Sequence, residues 1–100
     1  MTERASIDSD KFEGIWSRTL LAAGEEFLTI TGKPFTYAIV RGAVVLENTA
    51  RVLARSQFER AAVRASISGP GQLQDLQGPS YVFAILTDRR VAPSLRREVS

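Results

Sequence analysis

The chain has 100 residues, 44% of them apolar, and a formal charge of +2 at pH 7. That is the size of one ordinary domain, able to bury roughly 60–65% of the surface of its unfolded chain. It contains no histidine and no cysteine, which excludes Ser-His and Cys-His nucleophilic pairs, zinc fingers, iron–sulfur clusters and disulfides.

The N-terminal arm, residues 1–8, is polar and lacks the apolar stretch of a secretory signal. From about Asp10 to Ala23 the apolar residues recur at a helical period, with Phe12, Ile15, Trp16, Thr19, Leu20 and Ala23 on one side. This predicts an amphipathic helix with Trp16 in the core. Asp10 and Glu13 suit its start, and Gly24 suits a left-handed end.

From Phe27 to Ala54 short β-branched and aromatic runs alternate with turn residues, which predicts an antiparallel meander. Four strands are expected, at about Phe27–Thr31, Phe35–Val40, Ala43–Glu47 and Arg51–Ala54. Gly32-Lys33-Pro34, Arg41-Gly42 and Asn48-Thr49-Ala50 join them. The second strand is apolar on both sides: Phe35, Tyr37 and Ile39 face one way, Thr36, Ala38 and Val40 the other. That pattern points to the sheet centre, with the aromatic side inward. On the fourth strand Val52 and Ala54 oppose Arg51, Leu53 and Arg55.

Ser56 and Glu59 have the spacing of a reciprocal capping box, which predicts a helix from Ser56 to about Ser66 with Phe58, Ala61, Ala62 and Ala65 inward. Ser68-Gly69-Pro70-Gly71 and Gly78-Pro79 break the chain, and Leu73 and Leu76 are placed to pin the segment between them. The run Tyr81–Leu86 is read as a helix over about Ser80–Arg89, stopped by Pro93, with residues 94–100 as a tail. At six residues it is far short of the roughly 20 that cross a bilayer. The expectation is a single α+β domain over residues 1–100: an N-terminal helix, a four-stranded antiparallel meander, and C-terminal helices on one sheet face. Freedom from cysteine and the polar N-terminus place it in the cytoplasm.

Chemistry in the sequence is sparse. Gly24 and Gly32-Lys33 lack the spacing of a phosphate loop, and Gly69-Pro70-Gly71 lacks the third glycine and preceding strand of a dinucleotide fingerprint. Of the acidic pairs, Asp8/Asp10 suit a helix N-terminus and Glu25/Glu26 suit a solvated turn. Neither predicts a metal or a catalyst, so no enzyme activity and no cofactor are expected.

Arginine is the exception. It supplies eleven of the thirteen basic residues, and residues 41–100 hold nine arginines against five acids, whereas residues 1–40 hold four basic groups against six acids. Arg41, Arg51, Arg55, Arg60 and Arg64 concentrate this charge, with Arg51 and Arg55 expected on one strand face and Arg60 and Arg64 one turn apart on the adjoining helix. Planar guanidinium groups pair bidentately with phosphate. The first reading is therefore a nucleic-acid-associated accessory or regulatory module that contacts backbone phosphate through these five residues. The alternative is a protein-interaction or homo-oligomerisation module, using strand edges or Leu53 and the C-terminal helix. The same arginines also suit a solvated face that keeps a small protein dispersed.

Overall fold

The computed structural model describes residues 9–47, 49, 51–64 and 69–95. Among them are three α-helices and five short strands in an α+β arrangement. The order is α1 (Ser9–Leu21), β1 (Phe27–Leu28), β2 (Pro34–Phe35), β3 (Tyr37–Val40), β4 (Ala43–Leu46), β5 (Val52–Leu53), α2 (Arg55–Ala62) and α3 (Pro79–Leu86). Turns of 3-10 helix lie at Pro70–Leu73 and Pro93–Leu95. No helix among the described residues is long and apolar enough to cross a membrane. The expected arm at 1–8, the last positions, 65 and 66, of the helix expected to reach Ser66, and the tail from 96 onward fall outside the described residues; that helix ends at Ala62, earlier than expected, with Val63 and Arg64 in a turn. Leu95 is described, and it is buried.

Helix α1 buries Phe12, Ile15, Trp16 and Thr19, as its period predicts. The last turn departs from the pattern: Leu20 is exposed and Ala22 takes the buried place. Thr19 is tolerated in the core because its hydroxyl donates to the Ile15 carbonyl at 3.0 Å. Its own carbonyl accepts the Tyr37 hydroxyl at 2.6 Å, so both polar atoms of the residue are satisfied.

The strands do not form one four-stranded meander. β1 and β2 pair as one antiparallel sheet, and β3, β4 and β5 form another in that order. The chain from Pro34 to Val40 is nearly continuous but changes partners at Thr36. Phe35 pairs with Phe27, while Tyr37 pairs with Leu46. β1 cannot extend alongside Tyr37 because the residues before it are still leaving α1. The Glu25 amide donates to the Ala22 carbonyl, and it is the amide of Gly24, at φ +88°, that takes the Tyr37 carbonyl. The long strand expected at the sheet centre is thus split, and its second part is an edge strand with β4 at the centre.

The β3–β4 turn is the expected Arg41-Gly42. Both residues have positive φ, +53° and +74°, the backbone of a two-residue type I′ hairpin whose twist matches its strands. Register then fixes the faces. Tyr37 and Leu46, and the row Ile39, Val44 and Leu53, point inward, and apart from the half-buried Ile39 all are fully buried.

The capping box at Ser56 does not form. Helix α2 begins one residue earlier, at Arg55, with Ala54 in the cap position and no side-chain cap bond. Its N-terminus is held by tertiary contacts instead. Helix α3 carries the most continuous burial, Val82 through Leu86, and it meets α1, α2, β1 and the Pro70–Leu73 turn. Leu73 and Leu76 pin the connecting segment as expected. Two aromatic groups complete the core. Phe12, Trp16 and Phe58 form one, with ring centroids 6.2 and 5.5 Å apart, and Phe27, Phe35, Tyr37 and Tyr81 form the other at 5.0–5.8 Å.

Candidate interaction surfaces

The five arginines singled out by sequence do not stand on one surface with their charges free. Arg55 is the first residue of α2, not part of a strand face shared with Arg51. Its guanidinium pairs with the Glu13 carboxylate on α1 and lies over the Phe12 and Trp16 rings, 5.2 and 5.9 Å from their centroids. A cation over an aromatic face is attracted by the ring quadrupole. Arg55 therefore ties α2 to α1. Arg64 makes two bonds of 2.7 Å to the Asp75 carboxylate and a third of 3.1 Å to the Gln72 carbonyl, tying the end of α2 to the segment after the Pro70–Leu73 turn. These planar forks are used as the sequence argument supposed, but on the protein's own acids.

Arg41, Arg51 and Arg60 are exposed and form no ion pair among the described residues. They occupy three different settings. Arg41 is at the hairpin tip. Arg51 precedes β5, where its carbonyl accepts the Leu46 amide at 2.8 Å and its Cδ lies beside Gly78. Arg60 is on α2, close enough to Asp75 to help hold that carboxylate in its charged form.

The hydrogen bonds from Arg64 hold the Asp75 carboxyl at about 2, below the ordinary carboxylate range. A depressed folded-state value means that the pair stabilises above the unfolded carboxylate pKa of ~3.9 and is lost as pH falls toward the folded value. Because Asp75 is exposed, the useful readout is its own titration. Replacing Arg64→Gln should raise the Asp75 midpoint toward ~3.9 in a carbon-detected NMR titration. An unmoved midpoint would mean that Arg64 is not its partner in solution.

A further arginine, not singled out by sequence, is the most heavily engaged. Arg90 donates to both oxygens of Asp88 at 2.8 and 3.1 Å and to the Glu26 carbonyl at 2.9 Å, and lies 4.1 Å from the centre of the Phe27 ring. Burial works against the Asp88 charge, but the bonds from Arg90 outweigh it and lower the carboxyl's pKa. Burial also pushes the Tyr37 hydroxyl up, against the pull of the Arg90 charge. Nearby, Arg18 donates to the Val91 carbonyl at 2.6 Å. Only the Asp88-x-Arg90 spacing was visible in the sequence. The Glu26 and Phe27 contacts join residues more than sixty positions apart.

The second reading fares differently. Leu53 is fully buried and α3 is buried along most of its length, so neither is available to a partner as expected. A different face is. On the side of the three-stranded sheet away from the core, register aligns Ala38, Val45 and Val52 in one row and Val40 with Ala43 in the next. Val40 and Val52 are 50% and 54% exposed, and Ala38, Ala43 and Val45 between them are partly buried. Neighbouring strands lie about 4.8 Å apart and rise about 3.3 Å per residue, which makes this two-row patch roughly 14 by 13 Å at most. One end of the hairpin is closed by Arg41. The other carries Glu47, whose carboxylate accepts the Thr36 hydroxyl at 2.6 Å.

Other exposed large apolar side chains are Leu20 and Leu21, at the end of α1, and Leu28 and Ile30. The latter two flank a recess of about 270 Å³ with Phe83, Ala84, Thr87 and Asp88. Among the described residues no group of three or more acidic side chains is placed to hold a metal ion. The chain matches no family model, no curated protein and no solved structure.

Proposed function

We propose that this chain is a protein-interaction module that associates with a second copy of itself through the outer face of the three-stranded sheet. The observation that supports it most is that face: five alanine and valine side chains in register, without a polar residue among them, at least half of Val40 and Val52 open to solvent. A sheet normally buries one face and solvates the other with polar side chains, and an apolar outer face gains by being covered. A second copy suits it because the two ends of the hairpin carry opposite charge, Arg41 at one and Glu47 at the other, so the face complements itself.

The patch is small. Two copies stacked on it bury well under the ~1,000 Å² typical of a stable interface, so the association is weak. Sedimentation equilibrium from ~10 µM to ~1 mM should show mass rising toward that of a dimer with a dissociation constant of ~10–1,000 µM. Val52→Lys, which places a charge on the β5 side of the patch at its most exposed valine, should hold the protein monomeric over the same range. A wild-type mass that stays monomeric throughout overturns the proposal.

Phosphate binding is the competing outcome. With Arg55 and Arg64 already paired, three arginines of the set remain, and three backbone contacts on duplex DNA give a log K against log salt slope of about −2.7. Duplex binding with that slope and no self-association would replace this reading with the nucleic-acid one.

A further inference from the structure

Stacking two such faces about a twofold axis leaves two arrangements, and charge separates them. If the axis lies along the strands, hairpin tip meets hairpin tip and Arg41 faces its own copy. If it lies across the strands, tip meets open end, and in an isologous contact each Arg41 meets the other copy's Glu47, twice per dimer. We infer that the self-association proposed above takes the second form: antiparallel stacking of the two outer faces, locked by reciprocal Arg41–Glu47 pairs. The inference rests on the self-association reading and fixes its geometry.

Four observations carry it. Arg41 is exposed and has no ion pair among the described residues, in contrast to Arg55, Arg64 and Arg90, which are each held by an acid. Its backbone, at φ +53°, is fixed in the type I′ turn with Gly42, so the side chain starts from a defined point at the tip. Glu47 pairs across to Thr36 on the same side as the apolar rows: its amide donates to the Thr36 carbonyl at 3.0 Å and its carboxylate accepts the Thr36 hydroxyl. That bond orients the carboxylate without neutralising it. Finally, the apolar rows between the two charges are built only from alanine and valine, short side chains that let two sheets approach to about 10 Å or less. An arginine and a glutamate together span such a gap.

Like charges placed opposite each other repel, so charge disfavours the parallel arrangement by about as much as the pairs favour the antiparallel one. Exposed pairs are worth little individually and are screened by salt. Their contribution is to select one orientation for an otherwise featureless patch.

The test is a charge exchange followed by sedimentation equilibrium. At ~20 mM salt Arg41→Glu alone and Glu47→Arg alone should each weaken self-association by about tenfold, and the double variant should return to within about threefold of wild type. At ~500 mM salt the differences should largely vanish. Both positions are exposed, and matching circular dichroism melts would confirm that the variants fold.

An independent test uses the fact that the chain has no cysteine. Arg41→Cys and Glu47→Cys proteins, mixed and treated with a thiol crosslinker of ~10 Å span, should join to each other in preference to themselves. Preferential joining of like variants, or single charge variants that associate as the wild type does, would overturn the antiparallel register while leaving self-association standing. A wild type that stays monomeric would overturn both.

Discussion

Replacing Trp16→Ala should destabilise the fold by about 3–5 kcal/mol, the largest loss expected from any single truncation of α1. The indole is 6% exposed. It sits between Phe12 and Phe58, 6.2 and 5.5 Å away by ring centroids, and is one of the two rings beneath the Arg55 guanidinium. Its removal leaves a cavity where α1 meets α2 and withdraws part of the surface on which Arg55 is laid, so the Glu13–Arg55 pair loses its support as well. Against a total stability of ~5–15 kcal/mol for a domain of this size, the transition midpoint should fall by tens of degrees. Urea unfolding followed by far-ultraviolet dichroism is the appropriate measurement, because the variant loses the chain's one tryptophan fluorophore. Leu21→Ala, at a position 83% exposed on the same helix, should change stability by less than ~0.5 kcal/mol. Equal effects of the two variants would contradict the packing of α1.

The second large effect is expected at Gly78→Ala, about 2–5 kcal/mol. Gly78 precedes α3 with φ +56° and ψ +49°, the left-handed region that costs a residue with a Cβ roughly 1–2 kcal/mol. A Cβ there would also lie 3.0 Å from one Leu53 methyl group, 3.5 Å from the other, and 3.6 Å from the Arg51 Cδ. Leu53 is fully buried and cannot rotate away without disturbing its neighbours, which adds an overpacking cost of ~1–3 kcal/mol. Urea unfolding measures the sum. A loss below ~1 kcal/mol would show that Leu53 yields and that the junction before α3 is less constrained than its geometry implies.

How legible this molecule was in its sequence depended on how far apart the deciding partners lie. The inward side of α1, the Arg41-Gly42 turn and the helix at Tyr81–Leu86 are set by periodicity and local backbone chemistry, and each was readable. The capping box at Ser56 was a local signal overruled by a distant one. Arg55 is drawn into the helix by Glu13 and the Phe12–Trp16 pair, forty-two residues away in the case of Glu13, and the helix starts at Arg55 accordingly.

The pairing of Arg55 and Arg64 was hidden for the same reason. Composition gives the charge of Arg55 and Arg64 but not the acids that neutralise them. The two-sided apolar pattern of the stretch from Phe35 to Val40 was legible, but its meaning was not. A strand with two apolar faces reads as central, whereas here Tyr37–Val40 lies at an edge and its second face is left open.

Helix α3 has a temporal consequence. It is the element against which α1, α2 and β1 all rest, and the bonds that seal the N-terminal half, Arg18 to Val91 and Arg90 to Glu26, span 73 and 64 residues. On a ribosome the two hairpins are complete by Glu47, yet the side chains that close over them have still to be made. At about 5–20 residues per second that interval lasts a few seconds, during which β1, with Phe27, has α1 beside it in the chain but no α3 to pack against. Consolidation of the residues up to Glu47 therefore waits until α3 has been made.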